Sequence, residues 1–149
     1  MDNPGFEIGT DGPRLILVGI DGSDTSLRAG AWAAGIARRE GCALLVLHVT
    51  TTPPTIPAAP EAGAAWLQTR HEVAEQLRAL VATESERLGF PAEFLTRHGN
   101  PYQELIAVAD EHRVDAVVIG ASMQAGHRFV GSLAARLVRD ARWPVTVVP

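Results

Sequence analysis

"ILVGIDGSDTSLRAGAWAAGIARREGCALLVLHV", residues Ile16 to Val49, holds two short apolar runs with a helical pattern between them. Taken to their full length, the runs are "RLILVGI" (Arg14 to Ile20) and "ALLVLHV" (Ala43 to Val49), both strand-length and rich in branched residues. Neither alternates apolar with polar positions; continuous apolar character marks strands buried on both faces, as in a parallel sheet between helical layers. The segment Thr25 to Arg39 reads as a helix, with Ser23 or Asp24 as its cap and Leu27, Ala31, Ala34, Ile36 and Ala37 as its apolar stripe.

The same alternation continues outward. Three further runs are "AEFLTR" (Ala92 to Arg97), "DAVVIG" (Asp115 to Gly120) and "PVTVV" (Pro144 to Val148). A second helix is expected from about Ala64 to Leu88, with Trp66, Val73, Leu77, Leu80, Val81 and Leu88 at helical spacing and Gly89 ending it. Asn100-Pro101-Tyr102-Gln103 is a compact start signal: a capping Asn, Pro at the first helical position and Gln at the third. It predicts a helix over Pro101 to about His112. The fourth helix runs from Ser132 to about Arg139, with Leu133 and Leu137 on one face. Between the second strand and second helix, Thr50 to Gly63 carries four prolines and reads as an exposed loop or flap. The order β-α-β-α-β-α-β-α-β, with right-handed crossovers, is that of an α/β open doubly wound sheet.

A chain of 149 residues is one ordinary domain, taken as 14–149 behind a flexible arm at 1–13. Its 46% apolar and 20% charged residues are those of a globular protein, not a disordered one. The net charge of -4 and pI of about 5.7 argue against a nucleic-acid-binding face. All of its basic residues other than histidine are arginines, and they are scattered along the chain. The N-terminal residues lack the charged start and apolar core of a secretory signal, and no run approaches a membrane span. The lone Cys42, in an apolar context, reads as a small buried residue; a cytoplasmic address is expected.

In open α/β sheets a ligand lies at the carboxyl ends of the strands, where the strand order reverses. Three stretches meet there: Ile20-Asp21-Gly22-Ser23, His48-Val49-Thr50, and Gly120-Ala121-Ser122 onward. Asp21 is a carboxylate able to take a ribose hydroxyl. Val49 offers an apolar wall for a base, and Gly131-Ser132 a helix start whose N–H groups and dipole favour phosphate. His127 and Arg128 can add positive charge. Each feature has a plainer reading. Asp21-Gly22-Ser23 also makes a turn and helix cap, Ser132 an ordinary N-cap, His48 a core or crevice histidine, and His127 and Arg128 a solvated loop. Other chemistries fit poorly. Gly120-Ala121-Ser122-Met123-Gln124 lacks the closing glycine of a nucleophile elbow, the histidines show no metal-ligand spacing, and no G-x-G-x-x-G follows the first strand.

Together with "HGNPYQELIAVADEHRVDAVVIG" and "GSLAARLVRDARWPVTVVP", the opening stretch closely resembles the universal stress protein family over about Arg14 to Val148. The resemblance implies a Rossmann-like sheet, similar to the adenine nucleotide alpha hydrolases, in strand order 3-2-1-4-5. It also implies a bound adenine nucleotide: ATP, with Mg where it is ATP, or AMP or cyclic AMP. In such members the residues ending the first two strands face ribose and adenine, here Ile20, Asp21, Gly22, Ser23 and Val49. Phosphates lie on a loop of the form Gly-x2-Gly-x9-Gly-[Ser/Thr], which maps to Gly120, Ala121, Ser122, Met123, Gly126, His127, Arg128, Gly131, Ser132 and Leu133. Here Met123 takes the second glycine's place. Ten residues separate Gly120 from Gly131 where the pattern has twelve, a loss of up to roughly 7 Å of contour that is enough to reroute the loop. Gly126 is either the displaced glycine or a turn residue.

The last strand should be an edge, and its Val145, Thr146, Val147 and Val148 carry no charge to block pairing. The resemblance implies that this strand pairs antiparallel with its copy in a two-fold homodimer. The expected function is a stress-response module that binds an adenine nucleotide, as a sensor or slow turnover protein. The alternative is a member that has lost tight nucleotide binding and acts as a dimeric interaction module. A dedicated ATP hydrolase would need a positioned base or metal carboxylate that the loop does not visibly supply.

Overall fold

β1 (Leu15–Gly19) lies at the centre of a five-stranded parallel sheet. The computed structural model describes residues 12–51, 60–124 and 127–149; for Met123, Gln124 and residues 127–129 it describes the backbone only. β2 (Ala43–Thr50) pairs with β1 from Leu15↔Ala43 to Gly19↔Leu47, and β3 (Ala92–His98) pairs with β2. On the other side β4 (Ala116–Gly120) pairs with β1 and carries the final strand, β7 (Val145–Val148). The order β3-β2-β1-β4-β7 is the expected 3-2-1-4-5, with two short extra strands falling between the fourth and the last. The order reverses between β1 and β4, so the crevice of such a sheet must open above those two strands.

Alternating residues of the central strands feed two cores. Ile16, Val18, Leu44, Val46 and Val118 pack under α1 (Asp24–Glu40) and α2 (Pro60–Leu88). Leu17, Leu45, Leu47, Val117 and Ile119 pack under α3 (Pro101–His112) and α4 (Ser132–Asp140). β1, β2 and β4 are buried on both faces, which is why they read as unbroken apolar runs.

The buried stripe of α1 differs from the expected one. Ala29, Ala33 and Ala37 are fully buried, and Ala34 and Ile36 pack at the side, but Leu27 and Ala31 face solvent. The reason is closeness: a Cβ built on Gly120 would come within 2.5 Å of the Thr25 carbonyl carbon, so the start of α1 lies directly on the end of β4. At that separation alanine fits beneath the helix and leucine does not. In α2, Ala74 and Leu77 are buried and Val73, Val81 and Leu88 pack at the edge of the core, while Leu80 is exposed. The helix also starts at Pro60, not near Ala64. Proline is well suited to a first turn, where its missing N–H is not needed, so the last proline of the proline-rich segment opens a helix.

α3 begins as its sequence predicts: Asn100 Oδ1 accepts from the N–H groups of Tyr102 and Gln103 at 3.1 and 3.2 Å, with Pro101 at the first position. The segment after β4 is not a plain loop. β5 (Ser122–Gln124) and β6 (His127–Phe129) form an antiparallel ribbon with pairs Ser122↔Phe129, Met123↔Arg128 and Gln124↔His127. The shortened segment thus pairs part of its backbone by folding on itself.

Candidate functional site

The turn from β1 into α1 is held by a closed set of hydrogen bonds. Ser23 is the N-cap, its hydroxyl accepting from Ser26 N–H at 3.3 Å. Asp21 Oδ1 accepts from Ser23 N–H at 2.9 Å, an Asx turn that Gly22 permits by adopting φ +87°. The Ser26 hydroxyl donates to the Ser23 carbonyl at 3.0 Å and accepts from Asp21 N–H at 3.2 Å. The turn-and-cap reading of Asp21 and Ser23 is therefore realised, and it coexists with a place at the crevice. Burial by itself would raise the Asp21 carboxyl, but hydrogen bonds from Ser23, Ser26 and its own backbone outweigh it and hold the group below 3.8. At neutral pH Asp21 is an anion presented by a fixed turn.

His48 is buried at 7% exposure, and its Nδ1 lies 2.9 Å from the Ile20 carbonyl oxygen. A carbonyl only accepts, so Nδ1 carries the proton. Of the two plainer readings of His48, the structure realises the core histidine.

On the β4 side, Gly120 sits where a side chain would strike the backbone of Thr25 and Ser26. Its glycine is thus required by helix–strand packing, independent of any ligand. Gly131, not Ser132, is the N-cap of α4, with φ -72° and ψ 172° and no side chain to satisfy the first N–H groups. Ser132 is the first helical residue and is exposed, so the expectation that it caps the helix is corrected. The reason is contact: Gly131 is buried against the Ser122 side chain, with no room there for a Cβ.

These elements enclose a crevice of about 440 Å³ above β1 and β4. Of the expected residues, Ile20, Asp21, Ser23, Val49, Gly120, Ala121, Ser122 and Leu133 line it. Gly22 supports the turn without lining it, and Gly131 and Ser132 form the start of α4 at its border. Gly126, and the side chains of Met123, His127 and Arg128, lie outside the described residues. The lining also includes Thr25 and Ser26 from α1, Leu47 from β2, and Pro101 and Leu105 from α3, none of which was expected. Pro101 and Leu105 had a signal: a helix that starts after the third strand must cross above the second and first to reach the fourth. One wall is thus apolar, with Leu47, Val49 and Leu105, and the opposite corner polar, with Asp21 and Ser23.

A model of the universal stress protein family matches residues 13–149. Universal stress protein MJ0531 of Methanocaldococcus jannaschii is 27% identical over 139 residues, which are 91% of this chain and 81% of the relative. A universal stress protein family member from Burkholderia pseudomallei has the same fold, with a TM-score of 0.74 at 22% identity, over 91% of this chain and 96% of that one. A universal stress protein solved in complex with cAMP is similar with a TM-score of 0.66 at 26% identity, over 93% and 98% of the two chains. With its doubly wound sheet in the expected order and a family match across the same span, the chain belongs to the universal stress protein family.

Proposed function

We propose that this protein binds an adenine nucleotide in the crevice above β1 and β4 and serves as a cytoplasmic regulatory module of the stress response. The observation that carries the reading is the crevice's division into an apolar wall and a polar corner. The Leu47, Val49 and Leu105 wall suits a base, and ionised Asp21 suits a ribose hydroxyl. The start of α4, with glycine as its N-cap, leaves N–H groups for a phosphate. A volume of about 440 Å³ is in the range of small-molecule sites. The likeness to a relative solved with cAMP supports the same reading. Where ATP is the ligand, Mg accompanies its phosphates, and Asp21 is the carboxylate of the crevice lining.

The β5–β6 ribbon favours a short phosphate moiety. The N–H groups that bridge its two strands are engaged in pairing, which leaves fewer of them to wrap a triphosphate. The same observation supports the second reading, a module without tight nucleotide binding that acts through protein contacts. In either case the molecule is proposed to be a homodimer joined along β7.

Calorimetric titration with AMP, cyclic AMP and ATP separates the two. The first reading expects binding of AMP or cyclic AMP, ATP binding no tighter, and a roughly tenfold loss in Asp21→Asn, the cost of weakening one hydrogen bond to a charged group. Absence of heat with all three ligands at millimolar concentration would sink it and leave the second.

A further inference from the structure

The peptide that joins Ile20 to Asp21 is held at both ends. Its carbonyl accepts from His48 Nδ1–H at 2.9 Å, and its N–H, which belongs to Asp21, donates to Ser26 Oγ at 3.2 Å. Because the peptide is planar and trans, these two groups point in opposite directions, and fixing the carbonyl fixes the N–H. The regular β1–β2 register ends at Gly19↔Leu47, and Ile20 N–H makes one further strand-like bond to the Leu47 carbonyl at 2.9 Å. From that point the His48 ring, rather than the ladder, directs the chain.

The two faces of the sheet divide the work. Leu47 and Val49 line the crevice, while His48, between them in sequence, turns to the opposite face. There it is buried beside the core that holds Ile20 and Val46. A buried imidazole costs free energy unless its polar atoms are satisfied, and here the partner is the one carbonyl whose direction sets the Asp21 turn.

We propose that His48 is a positioning residue for the crevice: by holding the Ile20 carbonyl, it orients the Ile20–Asp21 peptide and so aims the Asp21 carboxylate. His48 touches no ligand in this arrangement. It acts through the chain His48, Ile20–Asp21 peptide, Ser26 and Ser23: Ser26 Oγ accepts the Asp21 N–H and donates to the Ser23 carbonyl, and Ser23 N–H donates to the Asp21 carboxylate. The inference gives Asp21 its role from the nucleotide reading above, but its test does not need a nucleotide.

His48→Phe keeps an aromatic ring and removes the donor; His48→Asn places an amide N–H the same number of bonds from the backbone as Nδ1. The readouts are the Asp21 carboxyl titration, followed by carbon NMR, and the hydrogen-exchange protection of the Asp21 amide. In His48→Phe the Asp21 midpoint should rise toward its ordinary value of 3.8 and amide protection should fall roughly tenfold, the loss of about one hydrogen bond. In His48→Asn both should return toward wild type. Unchanged Asp21 titration and protection in His48→Phe would overturn the proposal, as would failure of Asn to restore them. Should His48→Phe not fold, nitrogen NMR of the wild-type ring decides. A proton on Nδ1, protected from solvent, supports the inference, and a proton on Nε2 alone refutes it. If wild type binds no nucleotide while these results hold, the functional reading fails and the positioning role of His48 stands.

Discussion

Asp21 is ionised by its turn, and the sign of its effect on stability follows. Its folded-state value lies below the unfolded 3.8, so the hydrogen bonds from Ser23 and Ser26 contribute stability in full above that value. The contribution is lost as pH falls through 3.8 toward the lower folded value. Asp21→Asn keeps an oxygen to accept from Ser23 N–H but has no charge to titrate. The stability difference between wild type and Asp21→Asn should therefore be constant at neutral pH and shrink on acidification below about pH 4. Urea denaturation at a series of pH values measures it, and a pH-independent difference would show that the carboxylate is not specially stabilised. The sequence made Asp21 legible, because a carboxylate after a first strand and before a Ser-capped helix has few other uses. It could not reveal that Ser26 and His48 hold the turn. Both lie in patterns, a helix's first turn and an apolar strand, that have ordinary explanations of their own.

Helix α1 shows where periodicity misleads. Leu27 and Ala31 share a helical face with other apolar residues, and a count of hydrophobic positions selects them. Close approach to the sheet selects Ala29, Ala33 and Ala37 instead. What decides is the separation of helix and sheet, set by the glycine at the end of β4 under Thr25 and Ser26, and a pattern within one element cannot report it. Two substitutions separate the faces. Ala33→Leu forces three further heavy atoms of side chain into a site with no room to spare and should cost about 1–3 kcal/mol, whereas Ala31→Leu should stay within about 0.5 kcal/mol of wild type. Equal unfolding midpoints in urea would place the packed face wrongly. The β5–β6 ribbon was hidden for a different reason. Ser122-Met123-Gln124 and His127-Arg128-Phe129 are too short and too polar to read as strands, so a glycine between them reads as a loop turn or a phosphate contact before it reads as the tip of a hairpin. Longer elements with strong ends, such as α3 behind Asn100-Pro101, were legible to the residue at the capped start and closely at the far end.

At the scale of the whole molecule the sheet has two edges, and they are not alike. β3 carries Glu93 and Arg97, the latter paired with Glu111 at 2.6 Å, and such charges discourage a second chain from pairing there. β7, Val-Thr-Val-Val, has no charge at all. Its bonds to β4 use the carbonyls of Pro144 and Val148, at 3.0 Å to Val117 N–H and 2.7 Å to Ala121 N–H. In a parallel ladder the N–H and C=O of one residue point to the same side and alternate along the strand, so those of Val145 and Val147 face the open edge. Their side chains, however, pack against the core beneath α3 and α4. A charge introduced at Val145 or Val147 would therefore strike the core as well as any dimer, and could not tell the two apart. Val147→Pro removes the outward N–H, keeps an apolar side chain, and leaves the bonds to β4 in place. If β7 pairs with its copy, wild type should sediment as a dimer and Val147→Pro as a monomer with an unchanged circular dichroism spectrum. A wild-type monomer, or a proline variant that remains dimeric, would remove the edge from consideration as the interface.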